Sequence, residues 1–153
     1  MRIVIYGAGG IGGTIGARLH IAGHDVQLIA RGEHAQVMQQ RGLQFVAPGI
    51  NKTLNIPTSV HPNELDWRED DVVLLCMKSQ HTAAALDDLR AAGVIEQPIV
   101  CAQNGVANEA MTLRRFPNVY GMLVFLPALF LEPGQVVTNA TDVGGVLDTG
   151  CYP

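Results

Sequence analysis

Apolar residues in this chain fall into strand-length runs separated by stretches of helical period. Ile3 to Tyr6 and Val72 to Met77 are apolar and β-branched runs, the pattern of strands buried on both faces, and His24 to Arg31, Pro98 to Ala102 and Val119 to Leu126 read as further strands. Between the first two, Ile11, Ile15, Leu19 and Ala22 recur at helical spacing and Gly23 supplies a stop. Glu33 to Arg41 reads as a second helix ending at Gly42. Gln80 to Ala92 reads as a third, with Ser79 as N-cap, Ala85, Leu86 and Leu89 on its buried face and Gly93 after it. A short fourth runs from about Asn108 to Phe116. Leu43 to Ala47, a turn at Pro48-Gly49 and an extended run from Leu54 to Val60 form a small β excursion that holds the third strand of the main sheet. Asn63 to Asp70 is a polar connector with one helical turn. After the turn at Pro133-Gly134, Gln135 to Asn139 and Gly144 to Asp148 read as a closing pair of strands. This alternation predicts an α/β fold, a doubly wound, mostly parallel sheet with helices on both faces, in one domain over residues 1–153.

The junction of the first strand and first helix carries the strongest chemical signal. Gly7, Gly9 and Gly12, with Ala8, Gly10 and Ile11 between them, give G-x-G-x-x-G between an apolar strand and an amphipathic helix. In a Rossmann-type dinucleotide site the first glycine permits the tight turn, the second lets backbone approach a pyrophosphate, and the third lets helix pack on strand. The helix then turns its free N–H groups and positive dipole end to the phosphates. At the end of the second strand an NAD site carries an acid for the ribose 2′-OH. Here Ala30 offers none and Arg31 follows, whose guanidinium suits a 2′-phosphate, so the cofactor expected is NADP(H). The alternative leaves Arg31 a solvated charge compensated by Glu33.

Composition narrows the partners. A net charge of −4 with scattered basic residues gives no footprint for nucleic acid or an acidic membrane surface. The longest apolar run, Met122 to Leu131, is too short to span a bilayer and contains Pro127. The first residues already read as a core strand rather than a targeting signal. Three cysteines without C-x-x-C spacing fit a reducing compartment, and the cytoplasm is expected. Cys76 and Cys101 read as packing residues, and nothing marks Cys151 as an activated thiol.

Arg31, Lys78 and Asn104 each follow a strand end on what should be one rim, the way this architecture builds a site. Lys78 offers a point charge for phosphate or a proton donor, and Asn104 both donor and acceptor. The plainer reading makes them a surface lysine and a turn. His20 and His24 have a metal-ligand spacing, but Gly23 breaks the helix between them and no third ligand is evident, so no metal is expected. His20 suits a helix C-terminus, His81 an exposed first turn, and Asp87 and Asp88 the solvent side of their helix. Ser/His/Asp catalysis lacks G-x-S-x-G support.

The combination Gly7-Ala8-Gly9-Gly10-Ile11-Gly12, Arg31, Met77-Lys78-Ser79-Gln80 and Gln103-Asn104-Gly105 resembles the N-terminal domain of the ketopantoate reductase (2-dehydropantoate 2-reductase) family, and Pro133 to Val137 is similar to a late strand of that domain. The resemblance implies NADPH, with Arg31 on the 2′-phosphate side, Lys78 and Gln80 in the cofactor-binding motif, and Asn104 near nicotinamide and substrate. It also implies hydride transfer to the ketone of a 2-oxo acid, in pantothenate biosynthesis. Family members continue into a helical C-terminal domain that carries the lysine proposed as general acid. The only lysines here are Lys52 and Lys78, so the chain is expected to be catalytically incomplete by itself. Two further readings stand beside this one: a related hydroxyacid or imine reductase domain, and a non-catalytic NADP-binding module that dimerises or docks through Met122 to Leu131.

Overall fold

A computed structural model describes residues 1–141 and 144–153. Among these residues, eleven strands and four α-helices follow in order: β1 (Arg2–Tyr6), α1 (Gly10–Ile21), β2 (Asp25–Ile29), α2 (Gly32–Arg41), β3 (Leu43–Ala47), β4 (Ile50–Leu54), β5 (Thr58–Ser59), β6 (Asp71–Leu75), α3 (Thr82–Ala91), β7 (Ile99–Cys101), α4 (Asn108–Leu113), β8 (Val119–Phe125), β9 (Ala128–Leu129), β10 (Gln135–Thr138) and β11 (Val146–Cys151). The main sheet runs β11-β8-β7-β6-β1-β2-β5 and is parallel except for β11. Its parallel part has the doubly wound order of a Rossmann-type fold, with the switch between β1 and β6.

Alternation along each strand separates two cores. Leu28, Ile5, Leu74 and Val100 are register neighbours facing one way, and Ile29, Tyr6, Leu75 and Cys101 face the other. The second face is covered by α3 and the segment after α4, through Ala85, Leu86, Leu89 and Phe116. The first is covered by α1, which is itself roofed by a four-stranded sheet in the order β4-β3-β10-β9. With sheets on both sides, α1 buries Gly12, Gly13, Thr14, Ile15, Gly16 and Ala17 in succession instead of one stripe. A Cβ on Gly13 would stand 2.7 Å from Val136 Cγ1 of the roof, and one on Gly16 2.9 Å from Leu28 Cδ2 of the floor.

Three expectations need correction. Gln135–Thr138 and Val146–Cys151 do not pair: β10 joins β3 and β9 in the roof, while β11 lies antiparallel on β8. Val136 is fully buried over α1 whereas every residue of β11 is exposed, and short alternating runs do not encode such a difference of register partner. Leu54 to Val60 is also not one strand. Leu54 closes the β3–β4 hairpin, and after Pro57 only Thr58–Ser59 extends the main sheet at its edge, where a proline is tolerated. Ser79 is no N-cap: Ser79–His81 is a 3-10 turn ahead of α3, and the Ser79 hydroxyl bonds elsewhere.

At the N-terminal edge of the sheet, Arg2 and Asp71 face each other in register on β1 and β6 and are both buried. Arg2 Nε donates to Asp71 Oδ1 at 2.9 Å and Arg2 Nη2 to Oδ2 at 2.7 Å, a bidentate pair. Removing one partner leaves a buried, uncompensated charge. Arg2→Met should therefore cost about 3–5 kcal/mol, measured as a lower urea midpoint, and Arg2→Met/Asp71→Leu should recover most of that loss.

Candidate functional site

The glycine turn sits where β1 must hand the chain to α1 beside β6. Gly7 has φ +102°, and a Cβ there would lie 2.6 Å from Met77 N. A Cβ on Gly12 would overlap the Gly7 carbonyl and stand 2.8 Å from Cys76 Cβ. Gly9 is the exception: nothing lies within 4 Å of its Cβ position. It is the N-cap of α1, with no side-chain capping bond and no acid in the first turn. The first N–H to find a helical acceptor is that of Gly13, on Gly9 O at 2.7 Å, so those ahead of it have no helical partner. Unmet donors, a positive dipole end and open space are features that suit an anion.

The turn lines a crevice of about 870 Å³ that also takes in Arg31, His34, Lys78 and Gln80. Adjoining it is a cavity of about 430 Å³ lined by Asn104, Gln103 and Val124, with Ile11, Cys76, Met77 and Lys78 common to both. The strand-end residues named from sequence thus lie along one continuous depression at the C-terminal ends of β1, β2, β6 and β7. Gly7, Ala8, Gly9, Gly10 and Ile11 line the crevice, and Gly12 lies behind it as a packing residue. Burial pushes the Cys76 thiol up to about 12, which leaves it protonated at neutral pH. His20 lies in the last turn of α1, and among the described residues no group of three His, Cys, Asp or Glu side chains could hold a metal ion.

A buried polar network fixes the loops that carry Lys78 and Asn104. Gln103 Nε2 donates to Met77 O at 3.0 Å and to Thr82 Oγ1 at 2.7 Å. Thr82 Oγ1 donates to Asn108 Oδ1 at 2.9 Å, and Asn108 Nδ2 donates to Ser79 Oγ at 3.1 Å. Ser79 Oγ in turn donates to the Asn104 carbonyl at 3.3 Å. Lys78 and Asn104 stay exposed, and among the described residues neither side chain is engaged by a hydrogen bond or ion pair. Thr82 and Asn108 escape sequence reasoning because each is a single polar residue at an element start, with no period to mark it.

Arg31 also has a partner other than the expected one. Its Nη2 donates to Tyr6 Oη at 3.1 Å and lies 3.5 Å from Asp88 Oδ2, with the guanidinium carbon 5.9 Å from the Tyr6 ring centre. Glu33 makes no such contact, and Asp88 of α3 is half-buried rather than purely solvent-facing. Asp87 pairs with Arg115 at 2.8 Å.

Residues 3–152 match the family described as ketopantoate reductase PanE/ApbA. The chain belongs to that family. A 2-dehydropantoate 2-reductase from Mesorhizobium japonicum is 35% identical over the whole chain, which covers 45% of that protein. A PanE/ApbA family ketopantoate reductase from Ralstonia eutropha JMP134 is similar in structure, with a TM-score of 0.84 and 29% identity over 92% of this chain and 47% of that one. D-mandelate dehydrogenase, in a ternary structure with NADH and anilino(oxo)acetate, superposes with a TM-score of 0.86 at 28% identity, covering 97% of this chain and 48% of that one. The chain spans about half the length of the curated relatives it matches. No helix among the described residues is long and apolar enough to cross a membrane.

His34, a residue without a sequence signal, joins the glycine turn to the roof. Gly134 N–H donates to His34 Nδ1 at 2.8 Å, so the ring carries its proton on Nε2, which donates to Ala8 O at 2.7 Å. The trans peptide then aims the Gly9 N–H the opposite way. Burial holds the imidazole below its usual 6.5. The unfolded chain therefore takes up this proton first as pH falls, so the contribution of neutral His34 is complete above about 6.5 and is lost as pH falls through the lowered folded value. Between about pH 7 and pH 5 the urea midpoint of wild type should fall more steeply than that of His34→Gln.

Proposed function

We propose that this chain is the NADP(H)-binding half of a 2-dehydropantoate 2-reductase-like oxidoreductase. The observation that carries the reading is Gly9: an uncapped helix start beside open space, at the switch point of the sheet, with cations at two neighbouring strand ends. That donor set fits a dinucleotide. Backbone N–H groups of the glycine turn would hold the pyrophosphate, Arg31 the 2′-phosphate, and Lys78 and Gln80 the cofactor between the two ends of the depression. Asn104 would orient the nicotinamide amide or a substrate oxygen. A bound NADPH supplies the hydride that reduces the ketone of a 2-oxo acid. The residues here would position it, while the proton for the nascent alkoxide would come from a group other than those named here. The likeness to D-mandelate dehydrogenase supports the 2-oxo acid class more broadly than ketopantoate alone. A cytoplasmic setting is consistent with free thiols at all three cysteines.

A second reading, a docking or dimerising NADP module, is favoured by the exposure of Leu123, Phe125, Leu129, Phe130 and Leu131. Sedimentation separates the two, since a module that dimerises through this surface sediments as a dimer at micromolar concentration.

Calorimetric titration with each nucleotide tests the main reading. Arg31→Ala should weaken NADPH by roughly tenfold or more, the worth of a charged hydrogen-bond pair, and leave NADH nearly unchanged. Gly9→Ala should weaken both nucleotides while leaving the melting temperature intact, because the free chain has room for the methyl. Undetectable binding of both nucleotides would refute the proposal.

A further inference from the structure

The cation at the end of β2 does not stand alone. Tyr6 Oη donates to Asp88 Oδ2 at 3.1 Å while accepting from Arg31 Nη2 at 3.1 Å, and that same carboxylate oxygen lies 3.5 Å from Arg31 Nη2. His61 brings Nε2 to 3.5 Å from the other oxygen, Oδ1. Three elements therefore converge on Asp88: the end of β1, the residue leading into α2, and the loop after β5. Tyr6 and Arg31 line the crevice directly and Asp88 stands behind them. With His61 neutral, the charges of Arg31 and Asp88 offset one another.

We infer that Asp88 is a specificity-determining residue, whose carboxylate behind Arg31 moderates the preference for a 2′-phosphorylated nucleotide over one with a free 2′-hydroxyl. This rests on the NADP(H) reading above. Two opposed effects of Asp88 have to be weighed. By pairing with Arg31 it orients the guanidinium, but an ion pair this exposed contributes little. By its charge it repels a phosphate dianion seated on Arg31, and that repulsion acts on two charges at once. Tyr6 decides the balance. Its hydroxyl and ring face hold Arg31 without help from the carboxylate, so neutralising Asp88 removes the repulsion and leaves the cation in place. Asparagine keeps the shape and an acceptor for the Tyr6 hydroxyl. A ribose 2′-hydroxyl carries no charge and is indifferent to the change.

The test is a matrix of dissociation constants for NADPH and NADH, by nucleotide fluorescence, at about pH 8, above the ordinary imidazole range. Wild type, Asp88→Asn, Arg31→Ala and the double variant are compared, with melting curves as a check on folding. Asp88→Asn should tighten NADPH by roughly five- to tenfold at low salt, the scale of a charge interaction at a protein surface, and leave NADH within about twofold. The gain should shrink at high salt. It should persist in the Arg31→Ala background, where an orienting role for Asp88 predicts no effect. NADPH binding weakened or unchanged by Asp88→Asn, with wild type still binding both nucleotides, overturns this inference alone. Binding of neither nucleotide by wild type overturns the NADP(H) reading and this inference with it.

Discussion

The structure depends on how close α1 can come to the strand it leaves. Gly12 sits against the Gly7 carbonyl, Cys76 Cβ and Ile5 Cγ2, and no side chain larger than hydrogen fits there. Close approach at that point lets the helix start directly over the junction of β1 and β6, and it sets the open side of Gly9 toward the crevice. The same demand is repeated on the opposite face of the helix, where Gly13 meets Val136 of the roof sheet. A helix flanked by sheets on both sides cannot be amphipathic in the usual sense. It trades side-chain volume for backbone proximity, and the apolar surface it buries is supplied mostly by its neighbours, Ile5 and Leu28 below and Val136 above.

From that constraint the crevice acquires its walls. β10 lies parallel to β3 and antiparallel to β9, so the chain reverses over the helix start and brings Ala128, Phe130 and Pro133 to the rim opposite Lys78. His34 ties this roof to the glycine turn with one donated and one accepted bond, and the Phe130 ring packs edge-on at 4.6 Å from the imidazole. The far wall is held differently. There Gln103, Thr82 and Asn108 link two loops through buried hydrogen bonds, leaving the Lys78 and Asn104 side chains free to meet a ligand. One wall is fixed by close packing around glycine and the other by polar satisfaction. Both walls line the same depression at the strand ends.

What the sequence disclosed follows from the range of each signal. Strand runs buried on both faces, helix stops at glycine and the G-x-G-x-x-G turn are local, and they located β1, α1, β2, β6, α3 and β7 within a few residues. The partners of β10 and β11 are not legible in sequence, because pairing is a tertiary choice made by Val136 burying against α1 and by β8 running past the end of β7. The site divides in the same way. Arg31, Lys78 and Asn104 could be named because each follows a strand end. His34, Tyr6 and Asp88 could not, since their importance lies in contacts across 26, 25 and 57 positions of sequence.

Long-range contacts of that kind also decide how far a motif can be trusted. An arginine after the second strand is taken as a sign of a 2′-phosphate site because it adds a positive charge where an acid would otherwise stand. Here a carboxylate stands behind the arginine, contributed by α3 and joined to it through Tyr6. The local motif reads one charge and the folded site holds two. The charge at that end of the crevice is therefore set by both groups together and by how firmly each is held. Tyr6 holds both, having one face toward the Arg31 guanidinium and a buried position at the end of β1. A residue that reads in sequence as the last apolar member of a core strand is thus the fixed point of the electrostatics at that end of the crevice.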